Sequence, residues 1–393
     1  MINFIQKNLL FLFLIVCASP IGLTSFPTLH GKYPGSLLII ISTLLSLTYK
    51  TIWIGKTYFV TIIFFVISII PSILLIPLIN LLQYLETFFR IFILLTPLLF
   101  INIYKPYASN KINFTIDMVI GLSLPVIFIP FFVILFGLNP NVMTESEITG
   151  FFNISRGVGD PFSKMYFALG NSTSISPGLS ILFLYFVFKA IYFYKIKYSK
   201  ISTIYGLIGF LIFYTNWWFQ QRIILAILLL LLLFFVILLC SKKRYYPIYL
   251  ISIPIFLTFL FTIIDFDVRS ELWRQAFYKL DTISFLLGMG LDGFKSLELR
   301  YSHPHNIFIL FLFEYGFFGF LTFLSSIFAY CFMLSAIKLQ REHALNDYVQ
   351  YMPIMLFAAF IICITFNSNL IAYEYWVAVL GLILPIKLVK DIQ

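Results

Sequence analysis

The chain has 393 residues, of which 61% are hydrophobic and only 11% are charged, and its net charge is +10. A domain folded in water could not bury that much apolar surface, so the composition excludes a water-soluble protein and indicates one folded in a bilayer. The positive charges fall between apolar runs, where membrane topology accounts for most of them, and no nucleic-acid partner is expected.

Apolar runs long enough to cross a bilayer, which takes roughly 20 residues, recur along the whole chain. The first run is expected to be an uncleaved helix and not a signal peptide, because Cys17-Ala18-Ser19-Pro20 lacks a small-x-small cleavage pattern. We therefore predict an all-α polytopic membrane protein, a single integral membrane domain over 1–393. The twelve or so predicted spans are 8–26, 34–49, 57–79, 88–104, 114–138, 175–194, 201–218, 221–240, 246–264, 304–337, 348–367 and 370–388.

Cysteines and carboxylates also occur within these spans. The carboxylates Asp117 and Glu374 are candidates for function by default, but the sequence assigns neither of them a role. The cysteines lack the spacing of metal ligands, so we expect packing residues and no disulfide. They are Cys17, Cys240, Cys331 and Cys363.

The distribution of Lys and Arg predicts the orientation, because these residues accumulate in cytoplasmic loops. With both termini inside, sixteen of the 26 basic residues lie on the cytoplasmic side, and fourteen of those sixteen are Lys. The other ten basic residues lie on the opposite side, and six of those ten are Arg. Topology asks only for positive charge inside, whereas the planar guanidinium suits two-pronged binding of phosphate oxygens. An anionic ligand on the outer face is one explanation, and snorkelling or pairing with nearby carboxylates is the other.

Two longer loops, 139–174 and 265–303, fall on the outer, periplasmic side in this topology. The aromatic residues of the first indicate a segment that lies along the membrane interface. In the second, the apolar spacing of VRSELWRQAFYKL, from Val268 to Leu280, predicts a short amphipathic helix. Gly288, Gly290 and Gly293 then indicate a structural turn and not a phosphate loop, since no strand precedes them.

The stretch His303-Pro304-His305-Asn306 lies where the second external loop gives way to the tenth span. Pro is favoured in the first turn of a helix, so Pro304 is expected to open this helix and to place His305 at its outer N-terminus. The positive end of the helix dipole favours a neutral imidazole, which can act as a base. Two alternatives stay open: a histidine that only caps and packs, and a zinc site to which distant His30 would contribute.

Several of these residues resemble, in the same order, the motifs of a known family. That family is the O-antigen ligase and polymerase family of bacterial envelope enzymes, and the resemblance covers about 220–321 by motif and the remainder by the twelve-span layout alone. The matching residues are Gln221-Arg222-Ile223, Arg269, Trp273, Gly288-Met289-Gly290, Ser302-His303-Pro304-His305-Asn306, Glu314-Tyr315-Gly316 and Gly319.

The resemblance implies a metal-independent, inverting glycosyltransferase that uses no cofactor. Its donor would be an undecaprenyl-diphosphate-linked oligosaccharide at the outer face of the bacterial inner membrane. At the matching positions, His305 would be the catalytic base, and Arg222 and Arg269 would bind the diphosphate of the donor.

Five further residues are expected in supporting roles. His303 and Asn306 are expected to assist at the site. Glu314 is expected to be a buried hydrogen-bond partner, too far around the helix to touch His305. Gly316 and Gly319 are expected to let neighbouring helices approach closely.

Within this family we favour a surface polysaccharide polymerase, because the loop before His305 is compact and leaves little room for a second acceptor. The alternative is a ligase that transfers the glycan to lipid A-core. A lipid-linked sugar flippase is favoured less, because transporters bind near the midplane and here the polar residues gather outside. Expected partners are the lipid-linked donor, a glycan or lipid A-core acceptor, membrane lipids and, as a further candidate, a chain-length regulator.

Overall fold

The structure is a computed structural model, and it describes part of the chain. The described residues are 70, 117, 120–121, 155–156, 165–167, 170–218, 267–290, 293–299, 304, 306–336, 351–366, 380–381, 384–385 and 387–388. Six α-helices, one 3-10 helix at Lys295–Leu297 and three short strands lie among them. The strands and α-helices are β1 Ser155–Arg156, β2 Met165–Phe167, β3 Gly170–Asn171, α1 Ser172–Lys195, α2 Ser199–Trp218, α3 Asp267–Tyr278, α4 Thr282–Leu287, α5 Ile307–Ala336 and α6 Met352–Phe366.

The first of the two loops predicted to be external contains a small antiparallel sheet. Its strand order is β1-β2-β3, with Arg156 opposite Met165 and Phe167 opposite Gly170. The sequence predicted an all-α chain with an interfacial segment here, and the strands are a local correction to that prediction. The aromatic residues Tyr166 and Phe167 favour β-strands, which is consistent with their position in β2.

The helices α1 and α2 form an antiparallel hairpin, and α6 packs against both α1 and α5. Ser176 Oγ donates a 2.6 Å hydrogen bond to Asn216 Oδ1, which joins α1 to α2, and the Cys363 thiol of α6 lies 3.6 Å from the carbonyl oxygen of Pro177 in α1. Cys363 is buried, as expected for a packing residue. These two contacts near the start of α1 join it to α2 and to α6.

Lys189 of α1 is buried, although it is one of the sixteen basic residues predicted on the cytoplasmic side. Its Nζ lies 5.0 Å from the centroid of the Phe193 ring and 5.8 and 5.7 Å from those of Tyr192 and Tyr205. A buried ammonium needs compensation, and aromatic faces supply part of it electrostatically. The charge is thus held within the helix pair.

Two helical segments among the described residues are long and apolar enough to cross a membrane, Ser176–Lys195 in α1 and Ile307–Ser325 in α5. These segments, with the composition, identify a largely helical membrane protein. The predicted spans 175–194, 201–218, 304–337 and 348–367 coincide with α1, α2, α5 and α6 to within a few residues. The remaining spans, the total of twelve and the orientation stay predictions, and Glu374 lies outside the described residues.

Asp117 and Lys387, which come from distant parts of the chain, meet in the structure. Lys387 Nζ lies 3.4 Å from both carboxylate oxygens of Asp117, and Lys387 itself is buried. Both residues fall at predicted cytoplasmic ends of spans, 114–138 and 370–388. Asp117 therefore has a structural partner that the sequence alone did not provide.

Candidate active site

The amphipathic helix predicted in the second external loop is present as α3. Leu272 and Ala276, four residues apart on one face, are buried. The indole Nε1 of Trp273 donates a 2.8 Å hydrogen bond to the carbonyl oxygen of Pro304. This bond fastens the external helix to the segment that leads into α5.

Asn306 caps the N-terminus of α5. Its side-chain Oδ1 accepts hydrogen bonds from the backbone N–H groups of Phe308 at 2.9 Å and Ile309 at 3.1 Å, and its carbonyl accepts from Leu310 at 3.0 Å. Asn is among the preferred N-cap residues because its oxygen satisfies N–H groups that have no partner within the helix. Asn306 is buried, so the cap is enclosed by protein.

The expectation that Pro304 opens the helix is therefore wrong. The helix begins at Ile307, and the cap is Asn306, so Pro304 precedes the cap by two positions. A proline in the first turn of the helix would have no N–H group to satisfy. Here the first-turn N–H groups are present, and two of them donate to the side-chain oxygen of Asn306. Chain connectivity leaves His305 between the two fixed residues, Pro304 and Asn306, immediately before the cap.

The turn at Gly288-Met289-Gly290 docks against the backbone of α5. The N–H of Met289 donates to the carbonyl of Phe313 at 2.7 Å, and the N–H of Gly290 donates to the carbonyl of Glu314 at 3.1 Å. Because both amides are used within the protein, they are not free to cradle a phosphate. This confirms the prediction of a structural turn.

Gly316 breaks α5 at the place where the turn docks. Its backbone has φ 69° and ψ −175°, and Gly288 has φ 88° and ψ 166°. Both conformations lie in a region that is essentially restricted to glycine. A Cβ on Gly288 would lie 2.6 Å from the backbone nitrogen of Gly316, and one on Gly316 would lie 2.5 Å from the carbonyl carbon of Leu287.

We call this arrangement the glycine clasp: the turn 288–290 together with the backbone of 313–316. The expectation that Gly316 merely allows two helices to approach is corrected, because a positive φ and a helix break are what the position requires. The break leaves the Phe313 and Glu314 carbonyls available to donors outside the helix, and the turn supplies them.

Glu314 belongs to the segment of α5 that the clasp holds. Its side chain is 2% exposed, and the neighbouring Phe313 and Tyr315 are equally enclosed. The ring of Phe313 packs edge-on against those of Phe277 and Phe294, both from the external loop. Glu314 is thus buried, as predicted.

The helix α3 carries an exposed ion pair and a further arginine, Arg269. Arg274 Nη2 lies 2.6 Å from Glu271 Oε2 on the exposed surface, and this hydrogen bond, with a second from Gln275, lowers the pKa of the Glu271 carboxyl below its ordinary value. Arg269 belongs to α3 and precedes Trp273 by four residues. Arg222, His303 and His305, and the side chain of Arg269, lie outside what the structure describes.

Metal-binding groups of three or more His, Cys, Asp or Glu side chains do not occur among the described residues.

The part of the chain that the structure describes brings together Trp273, Pro304, Asn306 and the glycine clasp. The sequence could have identified Asn306 as the cap, since Asn immediately before an apolar run is a helix start signal. The Trp273 contact to Pro304 carried no such signal.

Replacing Trp273 by Phe should loosen the junction at Pro304, because Phe keeps an aromatic ring but has no N–H to donate. The Pro304 carbonyl would lose its donor, and an unsatisfied buried acceptor costs about 1–3 kcal/mol. Hydrogen exchange at the Phe308 and Ile309 amides should accelerate and glycan transfer should fall. The matched control is Tyr278→Phe on the same helix, whose side chain is exposed. Equal behaviour of the two variants would contradict the anchoring role.

Comparison with known proteins finds one similar family. Residues 167–324 match the family model described as O-antigen ligase, a range that begins in β2 and ends in α5. The match starts earlier in the chain than the region 220–321 that the motifs indicated, and so includes the α1–α2 hairpin. A search of curated proteins finds no match. Members of the matched family are glycan-transferring enzymes, and residues 167–324 of this chain are similar to that family.

Proposed function

We propose that this protein is a glycosyltransferase that acts on an undecaprenyl-diphosphate-linked glycan at the outer face of the bacterial inner membrane. The observation that carries the proposal is the double anchoring of the segment around His305. Trp273 holds Pro304 on one side, and the Asn306 cap holds the other side to α5. A catalytic base needs this kind of fixed position relative to its substrate.

In the proposed reaction an acceptor hydroxyl attacks the anomeric carbon of the donor sugar from the face opposite the leaving group. His305 takes the hydroxyl proton as the new glycosidic bond forms, and the bond from the anomeric carbon to the lipid diphosphate breaks with inversion. General-base assistance of this kind is typically worth about 10²–10⁴-fold. The electron pair of the broken bond leaves with the diphosphate.

The departing diphosphate carries the charge that the site has to stabilise. We assign this task to Arg222 and Arg269, whose guanidinium groups can each bind two phosphate oxygens. Arg269 is four residues before Trp273 on α3, and positions four apart share one face of a helix. That register supports a position for Arg269 on the side of α3 that meets the Pro304 segment. No metal is invoked in this step.

Arg269→Lys should retain only part of the activity, because an ammonium does not reproduce a two-pronged contact. Arg269→Ala should lose roughly 10- to 100-fold, as expected for hydrogen bonds to charged groups worth about 1.5–3 kcal/mol. Arg274→Lys is the matched control on the same helix, since Arg274 is exposed and paired with Glu271. The assay is transfer from purified lipid-linked donor in membranes with equal protein levels. Full activity of both Arg269 variants would remove Arg269 from the site.

The acceptor decides between polymerase and ligase, and we favour the polymerase. The described residues of the second external loop, 267–290 and 293–299, fold back on α5 through the glycine clasp and aromatic packing. Such a compact loop supports a site for two lipid-linked glycans of the same kind. A deletion strain separates the alternatives: loss of all but single repeats indicates a polymerase, whereas retained lipid-linked polymer that is not attached to lipid A-core indicates a ligase.

A further inference from the structure

The helix α5 is too long for a single straight membrane span. Its 30 residues would measure about 45 Å, whereas the hydrocarbon core of a bilayer is about 30 Å thick. The break at Gly316 divides it into 307–315, about 14 Å long, and 317–336, about 30 Å long. The two parts are not collinear, because the Phe311 ring of the first part stacks on the Phe323 ring of the second with centroids 4.2 Å apart. The second part alone matches the thickness of the core.

Burial changes at the same break. Before Gly316, Ile307, Phe311 and Phe313 are enclosed by protein. After it, large apolar side chains point outward, with Phe318 52% exposed and Leu321 41% exposed. Exposed Phe and Leu are favourable only where the surroundings are apolar, so the lipid-facing part of α5 begins just past Gly316.

The short helix α4 lies beside this starting point. The Phe285 ring stacks on that of Phe317 with centroids 5.7 Å apart, and Gly288 at the end of α4 meets Gly316. Ile283 is 65% exposed, and Leu286 is exposed as well. With Phe318 and Leu321 these residues give one apolar surface, continuous with the membrane span.

Protein groups satisfy several backbone N–H groups in and beside α4. The Asp281 carboxylate accepts a hydrogen bond from the N–H of Ser284 at the start of the helix. The N–H groups of Met289 and Gly290 are taken up by α5. Irregular backbone is tolerated at membrane depth only when protein groups satisfy it in this way.

We propose that α4 lies in the leaflet on the side of the site and that Gly316 marks the edge of the hydrocarbon core. The partner of the surface formed by Ile283, Leu286, Phe318 and Leu321 is the acyl region of that leaflet. Tyr278 is 81% exposed at the end of α3 and occupies the interfacial level, where Tyr is enriched.

The test measures depth and does not depend on catalysis. Single cysteines are placed at Ile283, Leu286, Phe318 and Gln275 in a chain whose four native cysteines are replaced by Ala. Each is spin-labelled in phospholipid vesicles, and collisions with oxygen and with a water-soluble nickel chelate are compared. Gln275, exposed on the polar side of α3, is the control.

Labels at Ile283, Leu286 and Phe318 should collide more with oxygen than with nickel, and the Gln275 label should show the reverse. The depths at Ile283 and Phe318 should agree within one helical turn, about 5 Å. Nickel accessibility at Ile283 and Leu286 equal to that at Gln275 would place α4 in water and overturn the proposal. Low accessibility to both reagents would mean that protein covers the surface and would overturn it too. Neither result bears on whether glycan is transferred.

Discussion

His305→Ala should abolish glycan transfer while the protein still inserts in the membrane and the lipid-linked donor accumulates. The residue is joined directly to Asn306, whose oxygen caps α5, and to Pro304, which Trp273 holds. Loss of a general base alone lowers the rate by about 10²–10⁴-fold. The measurement is turnover of purified donor in membranes with quantified protein, together with the amount of donor that remains in cells.

The matched control is His303→Ala, which should leave measurable turnover. His303 precedes Pro304 and is three positions from the Asn306 cap along the chain, whereas His305 adjoins it. A chelator should not affect the unaltered protein, because the proposed reaction uses arginine charge where other enzymes use a metal. An active His305→Ala protein would overturn the mechanism. So would an unaltered protein that a chelator silences and a divalent metal restores.

The elements that local pattern specifies were predictable. The spacing of Leu272 and Ala276 makes one face of α3 apolar, and the helix is present as Asp267–Tyr278, close to the predicted 268–280. The boundaries of α1 and α5 follow from long apolar runs, whose lengths the bilayer sets. The family resemblance is likewise carried by short ordered motifs, and the domain match confirms it.

The contacts that hold the site together were not predictable, because they join residues far apart in sequence. Trp273 and Pro304 meet across 31 positions, and their bond uses an indole N–H and a backbone carbonyl. Carbonyl groups are present in every residue, so no residue type indicates which one is the acceptor. Asp117 and Lys387 are also far apart in sequence, and their side chains meet as an ion pair across 270 positions.

The sequence around Gly316 was compatible with two explanations, a close approach of helices and a positive φ. Gly316 and Gly319 lie in an apolar helix, and small residues are common where such helices approach each other. Composition alone does not reveal that Gly316 has a positive φ, since glycine adopts either sign readily. The close packing of Gly288 against Gly316 supplies the missing information, because a Cβ at either position would overlap the backbone of the other segment.

Gly316→Ala should therefore lower glycan transfer strongly although Gly316 touches no substrate in the proposed mechanism. A non-glycine residue in this backbone region costs on the order of 1–3 kcal/mol, and the added Cβ would also push the turn away from α5. The segment from Asn306 to Tyr315 would then move relative to α3. A displacement of about 1 Å at a reacting group can cost on the order of 10²-fold in rate.

The control is Gly206→Ala in α2, where an added Cβ would have no atom within 4 Å. It should leave activity and protein level unchanged, since Ala favours a helix over Gly. The reciprocal variant Gly288→Ala should resemble Gly316→Ala, because both open the same clasp. Thermal unfolding in detergent, measured for each variant, distinguishes a displaced site from a protein that no longer folds.

The double variant Gly288→Ala/Gly316→Ala decides whether the clasp acts as one unit. If each single change already separates the turn from α5, the second has no further contact to break, and the double variant should be about as active as the weaker single one. Independent sites give additive free energies, so their losses would multiply. Multiplied losses, or full activity of Gly316→Ala at normal protein level, would show that the clasp does not position the site.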